Sequence, residues 1–440
     1  MFSITEAILN QYMNAIQSLI GKAEICKWEN LDKRWQQQIK AATPPENVPS
    51  CIVYPHTPAE LAEVMACAYR NKWQMLVCGN GSKLSWGGIV KNAQIVISTQ
   101  RMQQLIEHAV GDLTVTVEAG MQFAHLQAQL AKSGQFLALD PDFPQSATMG
   151  GIVATASTGS CRQRYGSVRD QLLGINFVRA DGQVASAGGR VVKNVAGYDL
   201  MKLFTGAYGT LGAISSVTFR VYPLPETSAT TALTGTPAEV AKACTILRAS
   251  ALTPTNSDIL STGLVASLGI GEGLGLITRF RSLKESVIEQ STRLLEVGQQ
   301  LGLQGKIYSG DEEAELGQKL QMQMQASSPS ITCKIGVLPA QAVATLTELD
   351  RIAGQKVIAW IHNGSGLGSL QLGVDATIGI IEQMRSLCQS YKGFLTVLIA
   401  PQAIKQKIDV WGYSGNAIDL MQRIKQQFDP ENLLSPNRFL

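Results

Sequence analysis

Short apolar runs and amphipathic segments alternate through the first half of the chain. Cys51–Tyr54 is a compact apolar run. Thr57-Pro58-Ala59-Glu60 then reads as a capping box with proline at the first helical position, and Leu61, Val64, Met65 and Ala68 recur at the spacing of one helical face. Further apolar runs at Met75–Cys78 and Ile95–Ser98 complete a strand, helix, strand, loop, strand pattern. Upstream, residues 1 to about 47 predict one or two amphipathic helices ending at Thr43-Pro44-Pro45-Glu46, which a helix does not readily cross. Downstream, Leu113, Val115 and Val117 alternate with Thr114, Thr116 and Glu118, predicting a half-buried strand. Phe123, Leu126 and Leu130 predict a helix that stops at Gly134. Ile175–Ala180 and Gln183–Ser186 flank Asp181-Gly182, the signature of a hairpin, and Val217, Phe219 and Val221 form a last alternating strand.

After Pro223 and Pro225 the periods lengthen. A second capping box spans Thr236–Glu239, and Gly275–Phe280, Ile331–Val337, Lys356–Ile361 and Phe394–Ile399 predict strands between helices. Leu420, Met421, Ile424 and Phe428 predict one face of a final helix, stopped by Asp429-Pro430 and followed by a short tail, Leu433–Leu440. The expected fold class is α+β.

With 440 residues, 45% hydrophobic and 16% charged, the chain can bury two or three domain cores. The net charge of +3 is spread without a basic run, which argues against a nucleic-acid partner. The first residues lack the charged and apolar blocks of a signal peptide, and no segment approaches the roughly 18 apolar residues that span a bilayer. The expectation is a cytoplasmic protein, at most peripheral to a membrane. Its eight cysteines show no C-x-x-C spacing, so they read as buried thiols and supply no iron-sulfur ligand set.

Two stretches carry candidate chemistry. Between Ser146 and Ser160, twelve of fifteen positions are Gly, Ala, Ser or Thr, so the backbone can approach another surface closely. Such a run either cradles a diphosphate with its amides and hydroxyls or packs against a neighbouring strand. The second stretch, Val77 to Gly88, is a glycine-rich turn leaving a strand, where phosphate cradles form. Leu84 stands where a dinucleotide fingerprint requires its third glycine, and the run is not a G-x-x-x-x-G-K-[ST] loop.

Taken in order, the GNGSK loop, VEAG, PQSATMGGIVATASTGSCRQRYG, GGRVVKNVAGYDL, GTLGAI and the closing FDPENLLSPNRF resemble the FAD-binding oxidoreductases of the vanillyl-alcohol oxidase/PCMH type. Within these, the pattern is most similar to the E-type FAD-binding chains of glycolate oxidases, strongly over about residues 48–225 and moderately at the end of the chain. The resemblance implies a helical arm at 1–47 and a PCMH-type FAD-binding domain of two α+β subdomains at 48–225. It further implies a mixed α+β cap at 226–405 and, at 406–440, a helix and tail that return to the FAD domain. It implies FAD cradled by Gly79, Asn80, Gly81, Ser82 and Lys83 on one side. On the other side it implies Ser146, Ala147, Thr148, Met149, Gly150, Gly151, Ala154 and Ser157, with Pro141 leading in and Gly159, Tyr165 and Gly166 following. Gly209, Gly212 and Ile214 would lie toward the adenine. Covalent members place a histidine in the first loop; this chain has none there, nor another nucleophile between Val77 and Gly88, so non-covalent FAD is expected.

The related catalytic chains carry H-A-G-D-G-N-L-H and a later E-H-G, whose side chains surround a 2-hydroxy acid, often with a metal. Here the nearest match runs from His362 to Ser369, with Ser365 in place of the aspartate and Ser369 in place of the second histidine, and no E-H dipeptide occurs. His362 is the candidate catalytic base, or else a hydrogen-bonded loop residue. No metal is expected. Arg162, Arg164, Arg279 and Arg281 are candidate carboxylate ligands or surface cations. The resemblance implies two roles: oxidising glycolate or a similar 2-hydroxy acid, or serving as an accessory flavoprotein. Either role comes with partner subunits of types D (FAD, catalytic) and F (iron-sulfur) to receive electrons. The alternative is a stand-alone D-lactate type dehydrogenase.

Overall fold

The computed structural model describes residues 14–18, 24–189, 197–325, 330–354, 357–413 and 415–439. The chain divides into two units, one of Met1–Thr158, Ser167–Leu224 and Ser414–Leu440, the other of Gly159–Gly166 and Pro225–Tyr413.

The first unit opens with strands β1 (Glu24–Lys27), β2 (Cys51–Tyr54), β3 (Met75–Cys78) and β4 (Ile95–Ser98). They are ordered β1-β2-β4-β3, with β2 and β3 parallel to β4 and β1 antiparallel to β2. Helix Pro58–Arg70 is the crossover; Thr57 caps it by accepting from Glu60 N, and Leu61, Val64, Met65 and Ala68 bury its face. β1 falls where the sequence predicts helix: Ile25 pairs with Val53 and Cys26 with Ile52, so the partner strand decides its conformation. Helix Lys33–Ala42 follows, capped by Asp32.

β5 (Leu105–Ala109), β6 (Thr114–Glu118), a short β7 (Gln135–Phe136), β8 (Leu172–Val178), β9 (Val184–Gly188) and β10 (Ala213–Arg220) come next. All but β7 form an antiparallel sheet ordered β5-β6-β10-β8-β9, while β7 pairs with β11 (Tyr222–Pro223). The predicted hairpin is β8–β9, with Gly182 at φ 87° in its turn. β6 is buried on both faces rather than one: Val115 and Val117 enter the core, Thr116 bonds Thr218 across to β10, and Glu118 accepts from Gln104 N. Leu113 precedes the strand at φ 54°.

The second unit is built on an eight-stranded sheet ordered β15-β12-β14-β13-β17-β18-β16-β19. Its strands are β12 (Thr227–Gly235), β13 (Asn256–Leu260), β14 (Leu274–Ser282), β15 (Gln304–Ser309), β16 (Ser330–Gly336), β17 (Ile358–His362), β18 (Leu367–Gly373) and β19 (Phe394–Ile399). Helices Pro237–Ala249, Lys284–Gln300, Ala342–Ala353 and Ile378–Ser390 cover the face carrying Leu276, Phe280, Ile259 and Ile361. Thr262–Leu268 and Gly310–Met324 pack on the other face, against Leu260, Ile277 and Trp360. Four of these strands, β12, β13, β15 and β18, are absent from the sequence-based expectation. β12 reads TSATTALTG, a run of small hydroxylated residues whose burial comes from lying between β14 and β15.

The last helix, Ile418–Phe428, departs from its predicted amphipathicity. Leu420 is exposed whereas Lys425 is buried. Phe428 packs against Phe177 and Phe204, at ring distances of 6.2 and 5.6 Å. Lys425 Nζ bonds Asp429 and donates to Thr210 O and Leu434 O, and Asp429 in turn accepts from Leu433 N and Leu434 N. This buried ion pair directs the tail back to β3, where Met75 N donates to Leu433 O and Ser435 N to Met75 O.

Candidate functional site

Two loops of the first unit meet where β3 ends. Ser98 Oγ donates to Gly79 O at 2.8 Å, and Asn80 Nδ2 reaches across to Ser146 O at 3.2 Å, tying the first glycine loop to the small-residue run. A Cβ at residue 79 would stand 2.0 Å from Thr148 Oγ1, so only glycine permits this approach. In the second loop, Thr148 caps helix Met149–Thr155 by accepting from Gly151 N, and Gly150 N donates to Ala119 O, which belongs to the VEAG motif.

A cavity opens between the loops. Gly79, Asn80, Gly81, Ser82, Lys83, Thr148, Gly150, Gly151, Ala154, Gly209, Gly212 and Ile214 line it, all expected from the sequence. Its wall also includes Val77, Cys78, Leu84, Thr99, Thr155, Tyr208 and Arg438, which sequence reasoning did not assign. Tyr208 and Thr155 adjoin glycine-rich segments, a signal that could have found them. Arg438 lies more than two hundred residues further on and is brought in by the tail. Gly88 makes room for it: a Cβ there would meet Asn437 O at 2.5 Å, and Gly88 N donates to Arg438 O at 3.0 Å.

The other expected cofactor residues stand outside the wall. Ser146 acts through its carbonyl, and Ala147 and Met149 are buried in the core behind the loop. Ser157 donates to Asp142 Oδ2 at 2.8 Å, next to Pro141. Gly159, Tyr165 and Gly166 belong to the second unit.

Charge in the cavity is positive. Lys83 and Arg438 are 6% and 4% exposed, yet Lys83 Nζ and Arg438 Nη1 meet no hydrogen-bond acceptor among the described residues. Burial lowers the Lys83 ammonium to about 8, with Asp142 opposing the shift. Burial also lowers Arg438 to about 10, against Tyr208 and Cys78. Two desolvated cations in a glycine-lined cleft fit an anionic, diphosphate-bearing cofactor. Cys78 is a nucleophile by type, within the stretch expected to hold none. Burial pushes its thiol up to about 12, which keeps it protonated and unreactive.

His362 ends β17 and is buried. It is not alone: its Nδ1 lies 2.5 Å from Oδ1 of the buried Asp258, directly opposite it on β13. Their separation by 104 positions along the chain hid this pairing from the sequence. Asn363 Oδ1 accepts from Arg248 Nη1 at 2.6 Å. Ser365 Oγ accepts from Leu367 N and Ser369 Oγ donates to Cys333 O, so both serines are engaged locally. Arg279 pairs with Glu313 at 2.9 Å, and Arg281 is two residues further along β14 on the same face. Arg162 and Arg164 lie on the short helix Arg162–Tyr165. Among the described residues, no three His, Cys, Asp or Glu side chains gather as a metal-ligand group.

Residues 49–188 match the FAD binding domain family. The fold aligns with p-cresol methylhydroxylase at a TM-score of 0.79 and 17% identity, covering 98% of this chain and 97% of that one. It aligns with 4-ethylphenol oxidase from Gulosibacter chungangensis at 0.79 and 14%, covering 99% and 97%. The chain therefore carries an FAD binding domain over residues 49–188, and its fold is the PCMH-type α+β fold.

Among individual proteins, it is 24% identical to glycolate oxidase subunit GlcD of Bacillus subtilis (strain 168), over 90% of each chain. It is 25% identical to D-2-hydroxyglutarate dehydrogenase of Stutzerimonas stutzeri (strain A1501), over 89% of this chain and 90% of that one. Identity reaches 33% with glycolate oxidase subunit GlcE of Escherichia coli (strain K12), over 38% of this chain and 48% of that one.

Proposed function

We propose that this chain is an FAD-binding subunit, most like GlcE, of a glycolate-oxidase-type complex. The complex would oxidise glycolate or a similarly short 2-hydroxy acid and pass the electrons to an iron-sulfur subunit of type F, beside a catalytic subunit of type D. The observation that carries this reading is the glycine-walled cavity of the first unit with its two buried cations, Lys83 and Arg438. The local 33% identity to GlcE supports the subunit assignment. The need for an electron-accepting partner follows from the cysteines, whose spacing offers no cluster site.

Bound FAD supplies the two-electron acceptor. The loops around Gly79 and Thr148 and the cations Lys83 and Arg438 would hold it, non-covalently in our reading. On the second unit, Asp258 fixes the imidazole of His362 through Nδ1 and leaves Nε2 as the atom able to accept a hydroxyl proton. Asp258 also balances the charge that this transfer creates. Arg162, Arg164, Arg279 and Arg281 are the guanidinium candidates for the substrate carboxylate.

A second reading, a stand-alone 2-hydroxy acid dehydrogenase, is favoured by the same His362–Asp258 pair, which gives the chain a proton acceptor of its own. An anaerobic titration of the purified, FAD-loaded chain separates the two. Bleaching of the flavin band by glycolate or D-lactate alone selects the stand-alone reading. Bleaching only after a type D partner is added selects the accessory role. A chain that takes up no FAD refutes both.

A further inference from the structure

We infer that Lys83 and Arg438, one from the first glycine loop and one from the end of the chain, together clamp the diphosphate of FAD. The inference rests on the FAD reading above and assigns the cofactor's two negative charges to two specific side chains. Both are more than nine-tenths buried, both line the same cavity, and each ends in a nitrogen without an acceptor among the described residues. Their placement is mutual: Arg438 Nη2 donates to Lys83 O at 3.0 Å, which leaves Nη1 for a ligand.

Other groups around Lys83 do not satisfy it. The Trp86 ring lies 5.8 Å from its ammonium, outside hydrogen-bond reach. Asp142 acts on it through space, while the Asp142 carboxylate accepts from Ser157 Oγ. A buried ammonium without an acceptor and a buried guanidinium with one nitrogen left over are costly, and a doubly charged diphosphate cancels both charges. The tail is built to deliver this cation. Gly88, Met75 and the Lys425–Asp429 pair hold residues 433–438 in place through backbone bonds.

The test measures binding, not turnover. Apoprotein is titrated with FAD and separately with riboflavin, which lacks the diphosphate, following quenching of flavin fluorescence. Lys83→Met and Arg438→Met should each raise the FAD Kd by roughly tenfold or more, the scale of a lost charged hydrogen bond. The riboflavin Kd should stay within about twofold, and Arg438→Lys should recover much of the FAD affinity. Circular dichroism and melting of each variant confirm that the fold survives. FAD binding in a folded double variant within about twofold of the parent overturns the clamp while leaving the FAD reading intact. Equal loss for riboflavin and FAD also overturns it, because the cations would then face the flavin ring. A parent that binds neither flavin overturns the clamp and the FAD reading together.

Discussion

Asp429→Ala offers the sharpest test of how the tail is held. Asp429 is buried and accepts from Leu433 N at 2.9 Å, from Leu434 N at 2.7 Å and from Lys425 Nζ. Burial alone pulls the Lys425 ammonium below its ordinary range, and Asp429 pulls it back. Removing the carboxylate leaves a buried cation without its counter-charge, at a cost of about 3–5 kcal/mol. It also strips two buried amides of their acceptor, at about 1–3 kcal/mol each before relaxation. Lys425→Met likewise strands a buried charge, the Asp429 carboxylate, and removes the donor to Thr210 O and Leu434 O, but it leaves both amides their acceptor and is milder by that difference. The expected order is therefore Asp429→Ala well below Lys425→Met, with a gap of about 2 kcal/mol or more in urea unfolding. Since Arg438 rides on this segment, Asp429→Ala should also weaken FAD binding, which flavin fluorescence reads independently. Equal destabilisation by the two substitutions would falsify the view that the carboxylate organises the tail.

Titration of Lys83 should act in opposite directions on apoprotein and on cofactor binding. Its value is about 8 in the folded chain against roughly 10.4 unfolded, so apoprotein stability should rise by about 3 kcal/mol between pH 8 and pH 10.4. FAD affinity should fall over the same interval, by up to about tenfold per pH unit, and Lys83→Met should flatten both profiles. Gly79→Val places side-chain atoms on Thr148 and should abolish FAD loading, judged by the flavin-to-protein absorbance ratio, while Gly111→Ala, with open space around it, should not. If the chain oxidises substrate itself, His362→Gln should cut flavin reduction by about 10²–10⁴-fold with FAD loading unchanged. Asp258→Asn should reduce it less, and stopped-flow bleaching under anaerobic conditions checks both.

Local sequence determined the elements whose period and caps agree. Helix Pro58–Arg70, strand β3 and the hairpin β8–β9 are legible because an N-cap, apolar runs and an Asp-Gly turn act over a few residues, although Glu60 takes His56 N rather than closing the box on Thr57 N. The glycine loop and the small-residue run are legible for the same reason: close backbone approach requires residues without bulk. Tertiary structure decided the rest. β1 and β12 become strands through partners distant in sequence, which no local propensity announces. Lys425 interrupts an apolar helical face and is buried because Asp429 and two carbonyls meet it there. Arg438 joins the cavity only because the tail crosses Gly88, and Asp258 meets His362 only through the register of β13 and β17. Spacing along a chain encodes what neighbours can do; which distant side chains share one desolvated space is fixed by packing, where charge and burial are settled together.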